Sequence, residues 1–272
     1  MKKTLNESAQ YMTRYGSEII PGNVYTLNKL GVDRTRCILK IEDYTIPCMP
    51  FHLGFKHSVL LVSLSKQELI FFQRYVNNAA VFSIALNPDH KPEPINFYLR
   101  CSVNAIGQMK GRENVGLFVV DYKVSPDEMV SMLGKFLESQ ERIKAQYNDY
   151  GKTVIKMTPE IARIMGFNFY ATMTEASAEP KRIQLMGISS KSLEYMEAEK
   201  SSILRPGSNV SFQLFFKKFR VDVPGIVNES FTLPQGIIRT LASLSFSAEL
   251  VEIIDDYWYN SRTNPSLKAQ AE

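Results

Sequence analysis

Apolar and polar positions divide the chain into two blocks of short β-branched and aromatic runs, each closed by a helical pattern. Residues 1 to about 22 precede the first block; they are polar and lack periodicity, which predicts a loose tail. The first block carries runs at 35–47 (Cys37, Ile38, Leu39, Ile41), 58–63 (Val59, Leu60, Leu61, Val62), 79–86, 95–106 and 115–122. They are bounded by Asn, Pro, Gly or Asp, the mark of an antiparallel barrel or sandwich. One helix interrupts them. Ser65-Lys66-Gln67-Glu68 reads as a capping box, followed by Leu69, Phe72, Tyr75 and Val76 on one face.

A boundary falls at Ser125-Pro126-Asp127-Glu128, where a cap, a first-turn proline and two acids open a helix. Met129, Leu133, Phe136, Leu137 and Ile143 keep helical spacing; beyond Ile143 the pattern turns polar through Gln146, Asn148 and Asp149. The spacing predicts a linker helix over 125–150 that packs at its start and frees itself near Tyr150-Gly151. A short helix follows, with Thr158 as cap, Pro159 at the first position and Gly166 as stop. Strands are then predicted at 167–172, 182–188, 193–196, 209–216, 219–227 and 237–246. A terminal amphipathic helix carries Leu250, Ile253, Ile254, Tyr257 and Trp258 on one stripe, with Glu252, Asp255 and Asp256 on a solvated face.

The pattern therefore predicts a mainly β chain with some α. Two small antiparallel β-barrels lie in tandem, joined by a linker helix and closed by a C-terminal amphipathic helix. The expected layout is a tail over 1–22, a barrel over 23–124, the linker over 125–150, a second barrel with its helix over 151–260, and a frayed tail over 261–272. The two halves share a plan. Leu64-Ser65-Lys66 aligns with Ile188-Ser189-Ser190-Lys191, Ala80–Ile84 with Asn209–Gln213, and Ile95–Val103 with Phe219–Val227.

Composition narrows the class. The 272 residues are 44% hydrophobic, enough for real cores, and 22% charged, so the chain is not a disordered polyampholyte. Net charge is +4, but it is uneven. Residues 141–220 hold 13 Lys/Arg against 8 Asp/Glu, and residues 221–272 hold 3 against 7. The middle of the chain suits an anion. Three cysteines, Cys37, Cys48 and Cys101, are no disulfide framework and fit a reducing cytoplasm. Met1-Lys2-Lys3 leads into Thr4-Leu5-Asn6-Glu7 with no apolar run, unlike a signal peptide. No apolar stretch approaches the roughly 18 residues of a membrane span.

Catalytic chemistry finds no purchase. His52, His57 and His90 form no metal-ligand pattern; Cys48, His52 and His57 lack a fourth ligand and tight pairing for zinc. There is no nucleophile elbow, Walker loop or dinucleotide fingerprint. The chain is expected to be a non-enzymatic binding protein without metal or cofactor. Phe215-Phe216-Lys217-Lys218-Phe219-Arg220 interleaves aromatics with cations, a pattern that can engage single-stranded nucleic acid. A hairpin between barrel strands explains it more simply, and no DNA partner is expected.

Three segments of the second half carry a resemblance. Arg182-Ile-Gln-Leu-Met-Gly-Ile-Ser-Ser-Lys-Ser-Leu-Glu runs from a strand through a tight turn and out again. Leu204-Arg205-Pro206-Gly207-Ser208-Asn209-Val210-Ser211-Phe212-Gln213-Leu214 follows, then Phe219-Arg220-Val221-Asp222-Val223-Pro224-Gly225-Ile226-Val227. This succession over about 151–260 resembles the PilZ domain, the bacterial receptor for cyclic di-GMP. The preceding barrel and linker look like the N-terminal module of flagellar-brake-type PilZ proteins.

The resemblance implies cyclic di-GMP as ligand and a signalling role, carried by Arg-x-x-x-Arg before the first strand and Asp/Asn-x-Ser-x-x-Gly in a turn. A guanidinium fork pairs with guanine O6/N7 and phosphate, and the turn glycine lets the backbone approach. This sequence departs at both motifs. Its turn keeps Ser189, with Gly187 where the acid or amide belongs and Ser192 where the glycine belongs. No Arg pair precedes the strand: Arg142 is followed at the fourth position by Gln146, and Arg163 by Phe167. Lys181, Arg182, Lys191 and Arg205 are candidate replacement cations. Two functions stand. One is a cyclic di-GMP receptor that changes inter-domain geometry to regulate an unidentified protein partner. The other is a degenerate PilZ scaffold that binds its partner without nucleotide.

Overall fold

The computed structural model describes residues 2–89, 91–175, 178–197, 203–216 and 220–263. The chain divides into two compact units, Met1–Ser139 and Gln140–Glu272. In chain order the first holds α1 (Lys2–Tyr15), β1 (Ile19–Pro21), α2 (Val24–Lys29), β2 (Ile38–Ile41), β3 (Tyr44–Gly54), β4 (His57–Ser63), α3 (Lys66–Phe72), β5 (Ala79–Leu86), β6 (Ile95–Gln108) and β7 (Val115–Tyr122). Helix α4 (Asp127–Tyr150) starts in the first unit and ends in the second. The second continues with β8 (Ile155–Lys156), α5 (Pro159–Met165), β9 (Phe167–Glu175), β10 (Lys181–Ile188), β11 (Ser192–Glu197), β12 (Asn209–Phe216), β13 (Arg220–Thr232), β14 (Ile238–Leu244) and α6 (Ala248–Thr263).

Each unit is a closed six-stranded antiparallel barrel. In the first, β3-β2-β5-β6-β7-β4 closes through β3–β4 pairing, and β1 adds to the outer edge of β3. In the second, β10-β9-β12-β13-β14-β11 closes through β10–β11, and β8 adds to β10. Strand for strand, β1–β7 and β8–β14 have one connectivity. The likeness reaches a local irregularity: β6 bulges against β7 between Val103 and Ala105, and β13 against β14 between Val227 and Glu229. A bulge raises local twist, which a six-stranded ring needs to close.

Alternation places the cores. Leu39, Leu60, Phe82 and Phe118 fill the first barrel, and Tyr195, Phe212, Leu214 and Val223 the second. Closure leaves no long free edge. The Ser65–Glu68 capping box forms as the sequence predicts, and Thr158 caps α5, which stops at Gly166 with φ of 71°. Only the weakest part of the repeat alignment fails. Ser65 follows β4, whereas Ser189 precedes β11, so the two serines sit in different connections.

Other expectations are corrected. The predicted loose tail is helix α1 and strand β1. Ser8 donates to Asp127 Oδ1 at 2.7 Å, Tyr11 donates to Glu138 Oε2 at 3.0 Å, and Ile19 pairs with Gly54. Tyr15 is buried. Tyr11 lies so close to Gly134 that a β-carbon there would stand 2.2 Å from the ring. Polar residues spaced along α1 hid the docking, because they pair with polar residues of α4 rather than with water. The single run predicted over 35–47 is two strands folded back at Glu42-Asp43, with Glu42 at φ of 49°. Of the predicted frayed tail, residues 261–263 belong to α6, and 264–272 lie outside the described residues.

Candidate functional site

The turn joining β10 to β11 is built on a serine. Ile188 and Leu193 are the last register pair before it. Ser189 Oγ accepts from the backbone N–H of Lys191 at 3.1 Å and of Ser192 at 2.9 Å, and lies 2.8 Å from Ser192 Oγ. The Ser189 N–H donates to the Ser192 carbonyl at 2.8 Å. A short hydroxyl that bonds forward to its own backbone is what makes such a turn tight. Ser189 and Ser190 are fully buried, and the side chain of Ser189 is spent inside the turn.

The end of α4 packs on this turn. Ser190 Oγ donates to the Tyr147 carbonyl at 2.6 Å, and the Ser190 N–H to the Tyr150 carbonyl at 3.4 Å. The Lys191 ammonium lies 5.1 Å from the Tyr147 ring centroid, within cation–π reach. Tyr147 donates to the Leu244 carbonyl at 3.2 Å and meets Phe246 edge-on at 5.3 Å, while the Leu244 N–H donates to the Lys191 carbonyl at 2.7 Å. Burial here raises the Tyr147 phenol above its ordinary pKa. A second tie runs to α6: the Tyr150 hydroxyl donates to Asp255 Oδ1, which also accepts from Gln146 Nε2 at 3.4 Å.

Two expectations are thereby corrected. The end of α4 does not free itself near Tyr150-Gly151; its tyrosines and Gln146 find partners on the second barrel. Asp255 is not part of a purely solvated face but the acceptor for that end. Gly151 itself stands where a β-carbon would come 2.6 Å from Lys191 Cδ, so the chain leaves the helix in close contact with the turn.

The candidate ligand residues scatter. Ser189 and Ser192 form the turn, and Gln146 is four residues beyond the exposed Arg142 on α4. The register row Asn209–Ile226–Ser243–Ser192 places the segment before β12, with the exposed Arg205, at the same end of the barrel as the turn. Lys181 and Arg182 open β10 while the turn closes it, at the far end of an eight-residue strand. Arg163 is exposed on α5. Gly187 is held tight against β8: it pairs with Lys156, and a β-carbon on it would stand 2.8 Å from Val154 Cγ1. Ser190, Tyr147, Tyr150 and Asp255 were not among the candidate ligand residues read from the sequence. The two tyrosines, three apart on one helix face, are the signal that was available.

Among the described residues no three His, Cys, Asp or Glu side chains gather where a metal ion would fit. No helix among them is long and apolar enough to cross a membrane.

The family model of the PilZN3 domain matches residues 7–140. No curated protein matches the chain. Among solved structures the chain is similar to the Borreliella burgdorferi PlzA protein in complex with c-di-GMP, at 12% identity and TM-score 0.46, over 93% of this chain and 99% of that one. It is also similar to YcgR from Escherichia coli in complex with c-di-GMP, at 12% identity and TM-score 0.31, over 90% and 94%. A third likeness is to the Bacillus subtilis inhibitor of motility MotI/DgrA, at 10% identity and TM-score 0.30, over 85% and 97%. The PilZN3 match thus falls on the first unit, and the second unit repeats the same barrel plan.

Proposed function

We propose that this protein is a non-enzymatic cytoplasmic regulator of the PilZ type that engages a protein partner, and that its own helix, rather than cyclic di-GMP, holds the turn of its second barrel. One observation carries the reading: the turn's polar groups are already engaged, Ser189 by Lys191 and Ser192 and Ser190 by the end of α4. A dinucleotide entering there must break bonds worth about 1 kcal/mol each. It would do so without the Arg pair, each member of which supplies roughly 1–3 kcal/mol in a bidentate contact.

A second reading, the cyclic di-GMP receptor, is favoured by charge. Lys191 is in the turn, Arg205 lies at the same barrel end, and Arg142 is exposed one helical turn from Gln146. In that case the ligand would act by displacing α4 from the turn, and only to the extent that it binds the displaced arrangement more tightly. Calorimetric titration of the full chain with cyclic di-GMP separates the two. The proposal expects no heat up to about a millimolar ligand, a free energy weaker than roughly −4 kcal/mol. Micromolar binding lost on Arg142→Ala or Arg205→Ala establishes the receptor instead.

A further inference from the structure

The outer wall of the second barrel carries a feature that neither reading uses. Strands β9 and β12 pair regularly from Val210–Glu175 to Leu214–Ala171, then slip: the next pair is Phe216–Phe167. Three residues, Asn168, Phe169 and Tyr170, thus stand opposite Phe215 alone. Phe169 takes φ of 56°, a left-handed backbone that a bulky L-residue adopts only under strain. Yet its ring gains little from burial, being 53% exposed, and Tyr170 beside it is 40% exposed. Bulges that re-aim side chains at such a cost cluster at functional positions.

The bulge builds a platform. The Tyr170 and Phe215 rings lie 4.9 Å apart between centroids, and the Arg182 guanidinium is 5.4 Å from the Tyr170 centroid. Phe215 stands in register with Arg220 of β13. The neighbouring row, Arg182–Thr172–Gln213–Asp222, is polar across four strands. Arg220 is oriented there by Asp222, at 2.9 Å. Aromatic rings on a sheet face, flanked on both sides by arginines and backed by amide and hydroxyl groups, suit one ligand class. Unpaired bases stack on the rings, and the guanidinium groups meet the phosphates.

We infer that the β10-β9-β12-β13 face of the second barrel binds single-stranded nucleic acid by stacking bases on Tyr170 and Phe215, with Arg182 and Arg220 on the backbone. The geometry departs from the expectation of no DNA partner because a strained, exposed bulge stands opposite Phe215; Lys217, Lys218 and Phe219 of the interleaved aromatic and basic run lie outside the described residues. It is independent of the turn at Ser189.

The test is fluorescence anisotropy of labelled oligo(U) and oligo(dT), about 16 nucleotides long, with the full chain at about 50 mM and about 200 mM salt. Binding of either strand that weakens with salt and drops about tenfold or more in Tyr170→Ala and in Phe215→Ala supports the site. A preference between the two strands shows whether the 2′-hydroxyl is read. Both rings are partly exposed, so the variants should keep the circular-dichroism spectrum and melting of the parent. Absence of binding to either strand at about 50 mM salt overturns the inference. So does equal binding of a duplex, or binding that falls in Arg182→Ala but is untouched in both aromatic variants, since that is charge without stacking.

Discussion

Ser190 Oγ reaches the backbone carbonyl of Tyr147 at 2.6 Å, and that carbonyl already accepts the N–H of Gly151 at 3.2 Å. A turn between two barrel strands is thus bound to the last turn of a helix through an oxygen with both lone pairs in use. Ser190→Ala removes one bond but leaves the carbonyl paired. The expected loss is about 1 kcal/mol, the ordinary net value of such a bond, read as a lower urea midpoint with unchanged slope. A larger effect would mean that the turn as a whole departs from α4.

Restoring the acid of the turn motif that the resemblance implies is expected to cost stability. Gly187→Asp places a β-carbon 2.8 Å from Val154 Cγ1 and 3.6 Å from Glu194 Oε2, so it adds both a clash and a like charge. Overpacking of this kind costs about 1–3 kcal/mol. The variant is expected to melt lower than Ser192→Gly, and Val154→Ala is expected to recover part of the loss in a double-mutant comparison by thermal denaturation.

Gly134 lies in mid-helix, where alanine would ordinarily add about 1 kcal/mol of helix stability. Its β-carbon, however, would stand 2.2 Å from the Tyr11 ring, and an aromatic ring cannot yield locally. Gly134→Ala is therefore expected to push α1 off α4. Limited proteolysis is then expected to cut the variant, and not the parent, within residues 1–18, and an uncut variant would sink this account of the N-terminal helix.

The three thiols are buried in the first unit. Burial pushes Cys37 and Cys101 up to about 11, and Cys48 also upward, from an ordinary 9.0. The folded state holds them neutral, whereas the unfolded chain ionises them near 9. Their contribution to stability is therefore intact below that value and is lost as pH rises toward about 11. Urea midpoints should fall over that window, by less in Cys101→Ala than in the parent. A thiol reagent at neutral pH should label none of the three until the protein unfolds.

Much of the fold was legible because barrels write their period into the chain. Val59–Val62, Phe82–Ile84 and Phe212–Leu214 alternate or cluster as buried strands must, and Ser65–Glu68 and Thr158–Gly166 are local devices that close within one helical turn. The candidate site was legible only as a turn. Ser189 was identifiable because its hydroxyl acts on its own neighbours. Ser190, Tyr147 and Asp255 were not, since each acts on a residue more than forty positions away.

By itself, then, the order of residues determined two β-barrel units, the helices between and after them, and a serine turn at 189–192. All of these rest on interactions among residues near in sequence or on the two-residue period of a strand. Tertiary structure alone decided that the polar N-terminus docks as a helix, that the end of α4 closes over the turn, and that a bulge turns Phe169 and Tyr170 outward. Those outcomes depend on which surfaces meet when the barrels close, and closure brings together groups whose polarity alone would have assigned them to water.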